Sequence, residues 1–260
     1  MTKAADTTKP MKKPAYLALF YYNVFFACIS FSLILPTLAP FLTKLDAPPS
    51  YLPLAISIYS IGEMFGSLGF GGMYNALQSN EFLKTSAFGG RRRAPKVTML
   101  VCISFGVVGS ALYALAGFDP DQPKPHYILI GRAMQGIWTG GQQAVEQTYL
   151  GFASPPKQRT ELTSRLGTFA VLGFILGPSV GAFFSHFFGG SDGDDENDSI
   201  SMFTAPSYFI LAVCISMFVA TTLMWTPQVV SGKEMERRNR SVNSSLGSLG
   251  SSGETGSDSR

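Results

Sequence analysis

Charge is what this sequence has least of. Asp, Glu, Lys and Arg make up 14% of its 260 residues, against about 25% in ordinary soluble domains. With 46% hydrophobic residues beside that deficit, a single soluble globular domain is excluded. Histidine occurs twice, as His126 and His186, and cysteine three times, as Cys28, Cys102 and Cys214. The thiols sit in separate apolar runs, where a lone cysteine reads as a small hydrophobe. No metal site, cofactor or disulfide framework is expected from them. There is no HExxH, no Walker-type loop, and no serine or cysteine nucleophile with a plausible histidine, so an enzyme is not expected. The short basic cluster Arg91–Arg93 reads as a topology signal rather than a nucleic-acid site.

What the chain does have is length without charge. Six apolar runs, near 15–42, 52–74, 97–117, 127–150, 163–188 and 203–226, each suffice to cross a bilayer, which takes about 20 residues. The fold class expected is an all-α membrane protein in contact with membrane lipids. Residues 1–14 read as an N-terminal tail, 15–226 as the membrane domain, and 227–260, rich in Ser and Gly, as a flexible tail or linker. The basic stretch Met1–Lys13 leads into a run too long for a cleavable signal peptide. Pro36 and Pro40 are expected to bend the end of the first run or place it at the interface.

Lysine and arginine are retained on the cytoplasmic side. They cluster before the first run, between the second and third, around the start of the fifth, and after the sixth. The alternate loops hold only Lys44 and Lys124, together with the acidic run Asp192–Asp198. Both termini are therefore expected in the cytoplasm. Asn197-Asp-Ser199 falls on the opposite side and is a glycosylation candidate; Asn239 and Asn243 fall on the cytoplasmic side.

The fourth run carries the strongest chemistry. At 100° per residue, Arg132, Gln135, Thr139, Gln142, Gln143 and Glu146 share an arc of roughly 100°. A central charge costs about 2.5–3.5 kcal/mol on insertion scales, so such a stripe faces protein or a water-filled cavity. The alternative is that Arg132 and Glu146 snorkel to opposite interfaces. Glu63, midway along the second run, either keeps a proton, pairs, or makes a structural hydrogen bond. Asn23 in the first run is similarly ambiguous. These seven residues, Asn23, Glu63, Arg132, Gln135, Thr139, Gln142 and Glu146, are the candidates for substrate binding or proton coupling.

Gly173, Gly177 and Gly181 recur every four residues and share one helix face, beside Pro178. That spacing lets helix backbones approach closely in lipid. Gly62 and Gly66 form a similar pair.

Several motifs then align in order. "GRAMQG" at 131–136 resembles the RxxQG motif of the major facilitator superfamily. "GFILGPSVGA" at 173–182 resembles that superfamily's antiporter motif, with Ala182 in place of the last glycine, and "GGRRRAPK" is similar to the basic end of its loop motif. Local similarity in "SIYSIGEMFGS" and "QRTELTSRLGTFAVLGFILGP" points to its eukaryotic domain-containing protein 8 group of lysosomal and endosomal transporters. The resemblance implies the N-terminal half, a 3+3 inverted repeat, of a twelve-helix secondary transporter. It further implies a small-molecule or ion substrate, an endolysosomal or vacuolar rather than plasma membrane, and a gating role for Gly173, Gly177, Pro178 and Gly181. The Gly177-Pro178 helix would then press on a helix of a second half, supplied by a homo-oligomer or another chain. The loop motif departs from the family: "GFGGMYNALQ" offers Asn75 where an aspartate is usual, and the following loop is lengthened around 78–90. A non-transporting truncated protein that associates with or regulates a full-length transporter is the rival reading, and a channel a third.

Overall fold

The computed structural model describes residues 15–79, 94–116, 125–154, 156–188 and 205–225. The N-terminal tail, Arg91–Arg93, most of the lengthened loop, the sequons at Asn197, Asn239 and Asn243, and the segment 227–260 lie outside the described residues.

Six helices follow in order, α1 Ala15–Lys44, α2 Tyr51–Ser79, α3 Ala94–Leu115, α4 Pro125–Ala153, α5 Pro156–Phe188 and α6 Ala205–Met224, and the described residues contain no strand. Proline opens or nearly opens four of them, as Pro95, Pro125, Pro156 and Pro206. Its fixed φ suits a helix's first turn, where the missing N–H has no partner to lose. α1 runs unbroken through Pro36 and Pro40. It ends in a Schellman motif: Ala47 N–H donates to Leu42 C=O and Asp46 N–H to Thr43 C=O, both at 3.1 Å. Asp46 supplies the left-handed residue, at φ 50°, as a short polar side chain permits.

Five helices are long and apolar enough to cross a membrane; α4 is long enough but too polar on average. Its glycines and the stripe from Arg132 to Glu146 lower its hydropathy, and that stripe, Gln143 excepted, is buried in protein. α5 starts seven residues before the expected run at 163. Its first turns are polar, with Arg165 bonded to Glu161 at 2.6 Å on an exposed face, so helix begins outside the apolar segment.

The helices pack as α2 on α4, α1 on α5, α3 on α4, α3 on α6 and α1 on α6. Exchanging α1 with α4, α2 with α5 and α3 with α6 turns each of these pairings into another or itself. Two three-helix repeats have this relation. Because three crossings separate equivalent helices, the repeats are inverted.

Close approach at glycine follows the same rule. Gly62 and Gly66 of α2 lie against the backbone of Ala133 and Ile137 in α4, while Gly173 and Gly177 of α5 lie against Phe25, Cys28, Ser32 and Leu33 of α1. Gly181 faces Leu33. The glycine face of α5 thus meets α1 of the same chain. Pro178 stays exposed, with Val171, Leu172, Phe174, Ile175 and Leu176 also turned outward.

Candidate substrate and coupling site

The site is built around the α2–α4 seam. A methyl group at Gly136 would overlap the Tyr59 carbonyl and one at Gly140 the Glu63 carbonyl, reciprocating Gly62 and Gly66 across the seam. Four glycines thus let the two backbones touch. Tyr59 and Glu63, one turn apart on α2, are held directly against the polar stripe of α4.

Arg132 is wholly buried. Its Nη1 donates to Gln135 Oε1 at 3.2 Å, and Gln135 Nε2 donates weakly to Ser110 Oγ at 3.5 Å. The guanidinium carbon lies 4.4 Å from the Tyr59 ring centre and 5.5 Å from that of Phe31. Desolvated cation–π contacts contribute about 2 kcal/mol. Yet Arg132 Nε and Nη2 have no hydrogen-bond partner, and no carboxylate among the described residues pairs with it. A buried unmet donor costs about 1–3 kcal/mol, more when charged.

Beside it, the Tyr59 and Thr139 hydroxyls share a 2.7 Å hydrogen bond, and Thr139 Oγ1 also reaches the Gln135 and Gly136 carbonyls at 3.1 Å. On the other side of this pair lies an open cleft of about 70 Å³. α1 lines it with Cys28 and Phe31, α2 with Tyr59 and Glu63, α4 with Thr139 and Gln143, and α5 with Phe174. Glu63 is half-buried there and Gln143 is exposed.

Further along α4, Trp138 Nε1 donates to Gln142 Oε1 at 3.0 Å. The Glu146 carboxyl, fully enclosed, lies beside Gln142 and Asn23. Glu146 Oε1 and both Asn23 amide atoms nevertheless fall outside hydrogen-bonding geometry. The expected stripe is therefore divided. Thr139 and Gln143 reach the cleft, Arg132 and Gln135 lie behind the Tyr59–Thr139 pair, and Gln142 and Glu146 meet Asn23 in a separate buried cluster. Snorkelling does not describe either Arg132 or Glu146, since both are enclosed by side chains.

Phe31 and Trp138 have no marker in the sequence; each is one of many apolar residues at helical spacing. Tyr59 had one, its position four residues before Glu63.

A family model described as Major Facilitator Superfamily matches residues 20–252. The chain belongs to the Major Facilitator Superfamily. Within that family's RxxQG motif, the geometry supplies a reason for each residue. Arg132 and Gln135 bond to each other three positions apart, and Gly136 admits the Tyr59 carbonyl. The chain is 28% identical over 245 residues to "Major facilitator superfamily domain-containing protein 8" of Xenopus laevis, covering 92% of this chain and 44% of that protein. It is 32% identical over 90 residues to "Probable efflux pump gsfJ" of Penicillium aethiopicum, covering 35% of this chain and 15% of that one. The chain thus spans less than half the length of these curated relatives. It is a multi-pass membrane protein of a transporter family, similar to domain-containing protein 8.

Proposed function

We propose that these six helices are the N-terminal half of a secondary active transporter, moving a small molecule or ion by alternating access with proton coupling. One observation carries this reading: Glu63, Arg132 and Glu146 lie within an apolar bundle, and none forms an ion pair among the described residues. Ionisable groups inside a membrane are costly and mark substrate and proton paths. Glu63 alone of the two acids reaches the open cleft, so it is assigned proton exchange. Arg132 and Gln135 are assigned to the substrate side, and Asn23, Gln142 and Glu146 to coupling between α1 and α4. The exposed face around Pro178 is assigned contact with the remaining half.

The domain limits 1–14, 15–226 and 227–260, cytoplasmic termini, glycosylation at Asn197 and an endolysosomal or vacuolar membrane complete the proposal. The similarity to domain-containing protein 8 supports the last. The test is reconstitution, together with the remaining half, in vesicles loaded with a pH-sensitive dye. Outward gradients from a panel of solutes should drive proton movement that Glu63→Gln abolishes. If no solute drives proton movement, or Glu63→Gln retains it, proton coupling at Glu63 is wrong.

The second reading, a membrane protein that associates with a full-length transporter, is favoured by the outward apolar residues of α2 and α5, among them Phe65, Leu68 and Ile175. Stable recovery of a full-length transporter with the tagged chain would favour it.

A further inference from the structure

Resting on the transporter reading, we infer that Arg132 is a carboxylate-binding residue closed beneath an aromatic lid of Tyr59 and Phe31, and that the ligand of this site carries a carboxylate group. The argument starts from which guanidinium atoms are idle. Nη1 is engaged by Gln135, which fixes the plane of the group. The two unpartnered nitrogens are Nε and Nη2. These two carry the parallel N–H bonds along one edge of an arginine, the fork that matches both oxygens of a carboxylate. A carboxylate meets each N–H with its own oxygen, whereas a spherical anion must share one centre between the two. The Tyr113 hydroxyl, also buried and unpartnered, lies near enough to interact electrostatically with Arg132 and offers a further donor.

No acid among the described residues occupies the fork, although Glu63 stands in the adjoining cleft. The space beside Arg132 is too small for a water molecule. Ala27, Phe31, Tyr59 and Thr139 wall both that space and the open cleft, so a methyl, two rings and one hydroxyl form the partition between them. The partition is held by the 2.7 Å Tyr59–Thr139 hydrogen bond and by contact of the two rings, whose centres are 4.7 Å apart. Swinging Tyr59 away from Thr139 opens the fork to the cleft. An organic cation is disfavoured despite the aromatic lining and Glu63. The guanidinium already occupies both rings as their cation and repels a second positive charge.

The test uses the chain in detergent with Trp225→Phe, which leaves Trp138, a wall of the Arg132 space, as the sole tryptophan of two. Its fluorescence is titrated with sodium acetate and, at matched ionic strength, with sodium chloride. A saturable response to acetate and none to chloride is expected. Arg132→Lys keeps the charge but not the fork and should abolish the difference between the anions. Tyr59→Phe keeps the ring but frees the lid, and should lower the acetate midpoint about two- to tenfold, the equivalent of one neutral hydrogen bond. Should Arg132→Lys fail to fold, judged by size-exclusion profile, the Tyr59→Phe midpoint decides. No saturable acetate response, equal responses to both anions, a response that survives Arg132→Gln, or an unchanged midpoint in Tyr59→Phe would each overturn the inference. An acetate response without solute-driven proton movement leaves this site standing and removes the proton-coupled reading; proton movement without an acetate response does the reverse.

Discussion

Gly66→Ala and Gly69→Ala, three residues apart on α2, should behave oppositely. A methyl at Gly66 would sit 2.8 Å from Ile137 Cα and C, and nearer still to its carbonyl oxygen. Comfortable carbon–carbon separations are about 3.5–4.0 Å, so α2 and α4 must part by about 1 Å. Backbone on both sides leaves no rotamer to yield. Gly62, Gly136 and Gly140 repeat the contact along the seam, so the parting spreads rather than staying local. Overpacking costs about 1–3 kcal/mol, and a seam that also loses its close contacts belongs at the upper end. Separation of that size also takes Tyr59 beyond hydrogen-bonding reach of Thr139. Gly69 has nothing within 4 Å of the added methyl, and alanine is the better helix former by about 1 kcal/mol. Thermal unfolding in detergent, followed by circular dichroism, should show Gly66→Ala melting several degrees lower, at about 2–4 °C per kcal/mol for a chain of this size. Gly69→Ala should melt at or above the parent. If the two variants melt within about a degree of each other, the α2–α4 seam is not the tight contact described.

The α1–α5 seam offers a related test. Gly177→Ala meets Ser32 Oγ, a side chain, together with the Leu33 backbone N at 3.0 Å; it should destabilise by about 1–3 kcal/mol, and adding Ser32→Gly should recover part of the lost melting temperature. Glu146→Gln removes a buried carboxyl that has no ion pair among the described residues, so it should leave the melting temperature unchanged or raise it; a loss of about 3–5 kcal/mol would reveal a charged partner. Glu161→Gln breaks only the exposed Arg165–Glu161 pair, worth about 0.3–0.5 kcal/mol, and should be barely detectable in the same melts.

The six helices were legible because hydropathy and length report directly on membrane burial, and α4 stood out because its polar residues keep one angular position over four turns. What α5's glycines touch was not legible. A four-residue glycine period states that some backbone comes close, and it carries no information about which helix that is. The residues chosen by position alone, Glu63, Arg132 and Thr139, do converge within one seam, with Asn23 and Glu146 in a second cluster nearby. Their separation depends on Tyr59 and Phe31. Aromatic side chains at helical spacing are common in such a chain, and only the packing distinguishes a partition from a core residue. The early start of α5 was hidden for the opposite reason: Pro156 and the polar turns after it satisfy helix rules without any hydrophobic signal.

The two repeats place α1 and α4 in equivalent positions, but they do not divide the chemistry equally. α4 carries Arg132, Gln135, Gln142 and Glu146, whereas α1 contributes Asn23, Ser30 and Phe31 to the buried polar and aromatic surroundings. Concentrating charge on one helix requires that helix to be shielded closely, and the glycines do this on two sides. Gly62 and Gly66 bring α2 against it, while Gly109 of α3 meets Gly131 at backbone distance, with Gly131 O 2.9 Å from the position of an added methyl. Trp138 fills the notch at Gly106, and the Cys102 thiol donates to the Trp138 carbonyl at 3.0 Å. On those sides nothing can move without breaking backbone packing. Toward the cleft, by contrast, Arg132 is separated from open space by the Ala27 methyl, two aromatic rings and one hydroxyl pair, of which the rings and hydroxyls turn about side-chain bonds. Tyr59 is therefore the part of this wall whose rotation would join the two spaces.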